Sequence, residues 1–376
     1  MLSTSSSPPL WAVGTGLGLP ALAGDVHADV CVVGLGGSGL SCALESGRLG
    51  ARVVGIDAGE VGGGAAGRNG GFLLGGLSSF YHDAVARHGR DRARAMYQLT
   101  LDELERIAAE TPETVTRPGS LRIAESKEEE ADCARHLAAL RADGFAAEPY
   151  VGPEGVGIVV IGDGAFQPLE RCRTLASMAM RQGAALHESS AAEGISTGSV
   201  CTAHGRVHAR FIIVAVDGAL ELLLPELAGE VRTARLQMLA TAPTSEIHVP
   251  RPVYARWGFD YWQQCRDGAI ALGGGRDVGG DAEWTHERIV TDAVQRALEQ
   301  RLRGKLGVQA EITHRWAASV SYTTNALPIV REVRPGAWAI GGYSGTGNVI
   351  GSLFGRGLAR GLLRDDFSLL QPFMHA

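Results

Sequence analysis

Residues 29–72, DVCVVGLGGSGLSCALESGRLGARVVGIDAGEVGGGAAGRNGGF, constrain the fold more than any other part of the chain. They read as strand, glycine turn, helix and strand, followed by a second glycine-rich loop. Residues 29–33 form an apolar run of strand length, and Gly34, Gly36 and Gly39 then fall at GxGxxG spacing where a helix must begin. The first glycine permits the tight turn, the second lets backbone approach a pyrophosphate, and the third lets the helix pack closely on the strand. Gly37 and Ser38 open that helix, whose free N–H groups and positive dipole end suit phosphate. In a chain with 52 glycines the spacing alone is weak, and a glycine turn beside an N-capping Asp is the plain alternative. Context decides against it. Residues 51–56 form a second apolar strand, and Asp57 ends it about 20 residues past the fingerprint, where a carboxylate accepts hydrogen bonds from ribose hydroxyls. An acid there, followed by Ala58, disfavours a 2′-phosphate, so the expected nucleotide is FAD and not NADP.

The rest of the composition narrows the class. The length of 376 residues suggests two to three domains, and 45% hydrophobic with 20% charged content is that of an ordinary globular enzyme. A net charge of -6 with scattered Lys and Arg gives no reason to expect nucleic acid or an anionic membrane as partner. No run approaches the roughly 18 apolar residues of a membrane helix. Residues 1–24 lack the basic start of a secretory leader, and the six cysteines lie far apart without CxxC or metal-type spacing. A reducing, cytoplasmic setting is expected, with no metal. His204 and His208 flank Gly205 in an expected hairpin, unlike zinc ligands.

Farther along, helices are expected at 91–110 and 127–143, the second with Ser126 as N-cap, Glu129 as capping-box partner and Gly144 after its end. A strand is expected between them at 120–124. Residues 163–169 lead into a helix with Pro168 near N1, ending at Gly183. The run ARFIIVAV at 209–216 suits a strand buried on both faces. From residue 235 the pattern alternates like an antiparallel sheet, with strands 259–264 and 269–273 about an Asp267-Gly268 turn. A helix at 287–302, strands at 311–323 and 337–343, and a helix at 348–364 complete the chain.

Three motifs carry a family resemblance: GLGGSG with Asp57, AAGRNGGF at 65–72, and GGYSGTGN at 341–348. Weaker echoes are GAFQPL, ARFIIVAVDGA and ALGGGR. The chain resembles the D-amino-acid oxidase superfamily of FAD-dependent oxidoreductases, and within it the gamma-glutamylputrescine oxidoreductase branch. The resemblance implies an α/β fold in which a Rossmann-type βαβ FAD-binding domain is discontinuous and an α+β substrate domain roofs the flavin with an antiparallel sheet. The corresponding segments are 25–85, 150–233 and 311–376 for FAD, and 86–149 and 234–310 for substrate, after an N-terminal extension at 1–24. It implies flavin-side contacts at Arg68, Asn69, Gly70 and Gly71, a further contact at Ala192, and a loop at the pyrimidine edge carrying Gly342, Tyr343, Gly345, Thr346, Gly347 and Asn348. Gly351, Gly355, Gly357 and Gly361 are expected to let the last helix approach the sheet.

Departures from the family pattern shape the expected chemistry. Thr346 stands where most relatives have a His. Val320 replaces the Cys that carries FAD in sarcosine oxidases, and Gly63, Gly64 and Ala65 replace the His used by others, so the FAD is expected to be noncovalent. Ala271 stands where sarcosine oxidases place an O2-activating Lys, which leaves O2 or another electron acceptor open. The implied reaction is hydride transfer from the carbon next to nitrogen of a small-molecule amine or amino acid to flavin N5, with hydrolysis of the imine. Tyr261, Trp262 and Tyr343 are candidates to shape the reacting pocket, with Trp257 and Tyr322 beside them, although large aromatics also serve cores. Arg276 and Arg331 are candidates for a substrate carboxylate. Two other readings compete. A 2-hydroxyacid dehydrogenase would need a His base, for which His82 is the candidate, and a non-catalytic FAD-binding protein would need none.

Overall fold

The computed structural model describes residues 6–374, so the first five residues of the expected extension lie outside the described residues. The first sheet is built on Val26–Val33, whose residues alternate between two apolar layers. Val30 and Val32 face a cluster with Leu40, Leu44 and Leu353, whereas Cys31 and Val33 face one with Leu220, Leu224 and Leu227. Burial on both faces explains why the run carries no polar alternation. The strand pairs in parallel with Val53–Ile56 on one side and Gly205–Val214 on the other. Ala185–His187 continues the sheet beyond Val53–Ile56, and Ser199–Thr202 and Gly194–Ser196 continue it beyond Gly205–Val214. Ala337–Gly341 pairs with Gly205–Val214 in parallel and carries Ile329–Arg334 in antiparallel fashion.

The helices Gly37–Arg48, Pro168–Arg181 and Gly347–Arg364 share one core layer over this sheet. A Cβ on Gly39 would lie 1.9 Å from the Gly34 carbonyl oxygen, so only glycine lets the first helix sit this close to its turn. Gly351 and Gly355 face the first helix and not the sheet: a Cβ at Gly355 would lie 2.0 Å from Ser38 O. Gly357 and Gly361 receive Leu370 and Phe367 of the C-terminal segment. The expected helix-to-sheet approach is therefore a helix-to-helix crossing plus a seat for the tail.

The second sheet has the order Ile312–Thr323, Val231–Thr241, Ile270–Gly274, Asp260–Gln264, Val253–Ala255, Ser120–Ala124, Gly155–Val160, Ala147–Gly152. Its hairpin at Asp267-Gly268 and its strand at 120–124 stand where the sequence pattern puts them. The dividing lines expected at 150 and 311 do not follow the sheets. Gly155–Val160 forms a hairpin with Ala147–Gly152, and Ile312–Thr323 pairs along nearly the whole of Val231–Thr241, which carries both strands into the second sheet. The helix expected at 287–302 is Asp292–Gln300 followed by a π turn at Arg301–Lys305. Thr291 N–H instead donates to Gln237 Oε1 at 2.9 Å, and with Thr291 extended at the N-cap the helix starts only at Asp292. The last strand stops at Gly341 because Gly342 takes φ +65°. Helix Lys127–Ala142 has its Ser126 cap, but the Glu129 carboxylate accepts from Glu125 N and Trp257 N, not from Ser126 N. Among the described residues no three His, Cys, Asp or Glu side chains gather as a metal site, and no helix is long and apolar enough to cross a membrane.

Candidate active site

Where Val26–Val33 and Val53–Ile56 end, a cavity of about 770 Å³ opens. Gly34, Gly36, Gly37 and Ser38 line it, and the helix Gly37–Arg48 begins with no side chain capping its first N–H groups. Those donors and the dipole end are what a phosphate requires. Asp57, Ala58 and Ala192 line the same cavity. Asp57 Oδ2 accepts from Leu35 N at 2.7 Å and Oδ1 from Gly59 N at 2.8 Å. A carboxylate oxygen has a second lone-pair direction, so each retains capacity for a ribose hydroxyl. Burial pushes Asp57 above the usual carboxylate range, and the two N–H donors oppose that shift.

A second cavity, of about 410 Å³, lies under the second sheet. The two cavities share Ala65, Arg68, Asn69, Val320, Gly345 and Asn348 as lining residues. Both glycine loops singled out in the sequence thus meet at the junction. Asn69 and Asn348 exchange side-chain hydrogen bonds at 3.0 and 3.1 Å, and Asn69 Oδ1 also accepts from Gly71 N at 2.8 Å. Two buried indoles fix the loop from behind: Trp11 Nε1 donates to Asn69 O at 2.7 Å and Trp316 Nε1 to Arg68 O at 2.8 Å. Gln263 Nε2 donates to Gly70 O, and the Tyr261 ring lies against Gly70. Arg68 Nε donates to Gly63 O at 2.9 Å, and among the described residues no carboxylate pairs with its guanidinium.

A family model described as FAD dependent oxidoreductase (DAO) matches residues 29–360. The chain belongs to the DAO family. It is similar to the "Probable oxidoreductase OrdL" of Rhizobium meliloti (strain 1021), 27% identical over 365 residues, covering 90% of this chain and 83% of that one. It is also similar to the gamma-glutamylputrescine oxidoreductase of Escherichia coli (strain K12), 28% identical over 378 residues, covering 93% and 86%. In fold it resembles glycine oxidase from Geobacillus kaustophilus, with a TM-score of 0.74 at 20% identity over 90% of this chain and 95% of that structure.

The residues of this DAO-family oxidoreductase fit FAD. Beyond the fingerprint, Arg171 lines the larger cavity with a buried Nε that has no hydrogen-bond partner, and the exposed Arg288 lines it too. Sequence reasoning missed both, since neither stands in a recognisable motif. Gly347 and Asn348 begin Gly347–Arg364, whose first turn has no side-chain cap and is free to face the electron-rich edge of a flavin. Asp217, also missed, accepts from Gly342 N at 2.8 Å and from Ser321 N at 3.2 Å, tying the C-terminal loop to the second sheet. Burial raises its pKa to about 6. The signal was an acid directly after the apolar run FIIVAV.

Several expected site residues stand elsewhere. Gly39, Gly71 and Gly342 line neither cavity and act in backbone geometry. Gly70 and Thr346 line only the smaller cavity, and Thr346 Oγ1 is spent on Tyr343 O at 2.8 Å. Tyr343 lines the larger cavity and not the smaller one, and its hydroxyl donates to Ser38 Oγ at 2.9 Å. Trp262 follows Tyr261 on one strand and therefore points to the opposite face, where it packs with Leu121, Ile123 and Leu272. Arg331 pairs with Glu230 at 2.6 and 2.9 Å and lines neither cavity. His82 also lines neither, with Nε2 2.9 Å from Asp132. Ala271 is buried in one cluster with Trp11 and Trp316 and lines neither cavity. Tyr261, Tyr322, Trp257 and Arg276 do line the smaller cavity, Arg276 stacking at 4.9 Å from the Tyr322 ring centre.

Proposed function

We propose that this oxidoreductase oxidises a C–N bond of a primary or secondary amine or an amino acid, which sits in the smaller cavity and gives an imine that water hydrolyses. The observation that carries this reading is the state of the acceptors there. His136 Nδ1 accepts from Tyr81 N at 3.0 Å, and the Glu129 oxygens accept from Glu125 N at 2.8 Å and Trp257 N at 2.9 Å. Neither residue is among those that line both cavities, so among the described residues no histidine or carboxylate lining the smaller cavity stands at the junction as a base. Removing the hydroxyl proton of a 2-hydroxyacid needs such a base, whereas an amine needs only to be neutral.

The chain favours that neutral form. Arg68, Arg122 and Arg276 all line the cavity; Asp163 pairs with Arg122, but no ion pair among the described residues compensates Arg68 or Arg276, whose guanidinium groups raise the cost of an ammonium beside them. Tyr254 and Tyr261 wall the cavity with stacked rings 5.7 Å apart, and burial keeps both hydroxyls protonated, Tyr254 pushed up to about 12. FAD bound at the junction supplies the two-electron acceptor for the hydride. O2 or another acceptor completes the cycle. Anaerobic mixing with amines, amino acids and 2-hydroxyacids, followed by flavin absorbance, tests the reading. Bleaching by amines is expected, faster as pH rises until the bound amine is neutral. Bleaching by 2-hydroxyacids and by no amine moves the protein to the other class, and no bleaching by either makes it a binding protein.

A further inference from the structure

One in-register row of residues crosses the second sheet: Trp316, Met238, Gly273, Tyr261, Tyr254, Arg122. Direct cross-strand partners share a face, and Met238, Tyr261, Tyr254 and Arg122 of this row line the smaller cavity. At one end Trp316 holds the backbone of the junction residue Arg68, and midway along the row the Tyr261 ring lies against Gly70 of the same loop. At the other end, the Arg122 guanidinium lies over the Tyr254 ring, 4.8 Å from its centre, and lines the same cavity.

Arg122 is incompletely satisfied. Its Nη1 is buried and has no hydrogen-bond partner. The neighbouring carboxylate, Asp163, forms an ion pair with Nη2 at 3.8 Å, too long for a hydrogen bond, and leaves Nη1 unmatched. Asp163 has already committed Oδ2 to Ser120 Oγ at 2.5 Å and Oδ1 to Gly75 N at 2.8 Å. A buried guanidinium donor left unmatched is costly unless a ligand completes it. Arginine matches carboxylates in particular, through paired N–H donors.

Building on the amine reading above, we propose that Arg122 forms a distal subsite for the carboxylate of an amine substrate, several bonds away from the carbon that is oxidised. The strands of Tyr261 and Arg122 are two spacings apart, about 10 Å. An α-amino acid, whose carboxylate is attached to the reacting carbon, is too short to reach both ends. An ω-amino acid of sufficient length reaches both, its methylene chain lying along the Tyr261 and Tyr254 rings.

The test uses the FAD-loaded protein and a series of straight-chain ω-amino acids of increasing methylene count, with n-alkylamines of equal length as uncharged-tail controls. Kd and flavin reduction rate are measured for wild type, Arg122→Gln and Arg122→Lys. Unreactive alkanoates titrated by flavin absorbance shift report carboxylate binding without turnover. The expected result is an optimum at long chain length, a tenfold or larger loss of affinity for long ω-amino acids and alkanoates in Arg122→Gln, partial rescue in Arg122→Lys, and no comparable loss for alkylamines. Equal losses for acid-bearing and plain amines, or tightest binding of α-amino acids with no effect of Arg122→Gln, overturn the subsite. Failure of all amines to bleach the flavin while alkanoates still bind through Arg122 overturns the amine reading alone.

Discussion

At the scale of single residues, Asp57 shows how one carboxylate serves fold and ligand together. Its oxygens hold Leu35 N and Gly59 N, so Asp57→Ala removes turn geometry along with the expected ribose contact. Asp57→Asn is the cleaner probe, because it keeps one oxygen and loses the charge. We expect a loss of about 1.5 to 3 kcal/mol in FAD binding, roughly ten- to hundredfold in Kd, read by titrating apoprotein with FAD; unchanged affinity would remove Asp57 from the cofactor site. His136 gives a second residue-scale prediction. It is buried beside Arg122 and His82, stacks 4.7 Å from Phe80, and is held neutral, its pKa lowered from 6.5 to about 3 by burial first and the Arg122 charge second. The depressed value means that the unfolded chain takes up a proton below pH 6.5 while the folded chain does not until about pH 3. Its contribution is full above pH 6.5 and falls as pH drops through that window, by at most about 1.4 kcal/mol per pH unit. Denaturant midpoints of wild type and His136→Phe at pH 7.5 and pH 5 check this: the wild type loses more between them, and parallel losses reject the argument.

At the scale of elements, the segment ahead of the first strand is part of the site's support. Trp11, 5% exposed, reaches Asn69 O with its indole N–H, and Gln167 Nε2 holds Trp11 O at 3.1 Å. Leu19 N and Leu22 N are held by Glu188 and Ser190 at 2.8 Å each. Trp11→Phe keeps most of the packing and removes one hydrogen bond, so a destabilisation of about 1 kcal/mol is expected. Trp11→Ala also empties the indole's place, at about 3 to 5 kcal/mol. Thermal melts should rank wild type, Phe and Ala in that order, and both variants should retain FAD less well because Asn69 loses its anchor. FAD retention equal to wild type in Trp11→Ala would show that the loop holds its shape without the segment. None of this was legible in the sequence: a lone Trp in a stretch of Gly, Pro and Ser carries no periodicity, and its partner is a backbone carbonyl 58 positions away.

At the scale of the whole molecule, legibility followed the range of the interactions. The βαβ unit, the Asp-Gly hairpin and the Pro168 helix start depend on neighbours in sequence, and the strand and helix limits agree there to within a few residues. Sheet membership of Gly155–Val160 and Ile312–Thr323 depends on pairing partners, which the family resemblance did not place, and the helix start at Asp292 depends on Gln237, which the sequence pattern missed. The cofactor cavity is the most long-range feature, drawing its lining from Val33 through Asn348. That assembly makes a whole-chain prediction about attachment and stability. Val320, Gly63, Gly64 and Ala65 line the cavity and offer no nucleophile, and Cys172, which also lines it, is a buried thiol pushed up to about 11 and so protonated at neutral pH. The FAD should therefore be held without a covalent bond, and acid precipitation should leave the yellow chromophore in the supernatant; colour that stays with the pellet refutes this. A reversible ligand bridging segments from both ends of the chain also stabilises only the folded state, by about 2.7 kcal/mol at a free concentration of a hundred times Kd. The melting temperature of apoprotein should thus climb continuously as FAD is added, and a midpoint that ignores FAD concentration would mean that the cavity does not close around the cofactor in solution.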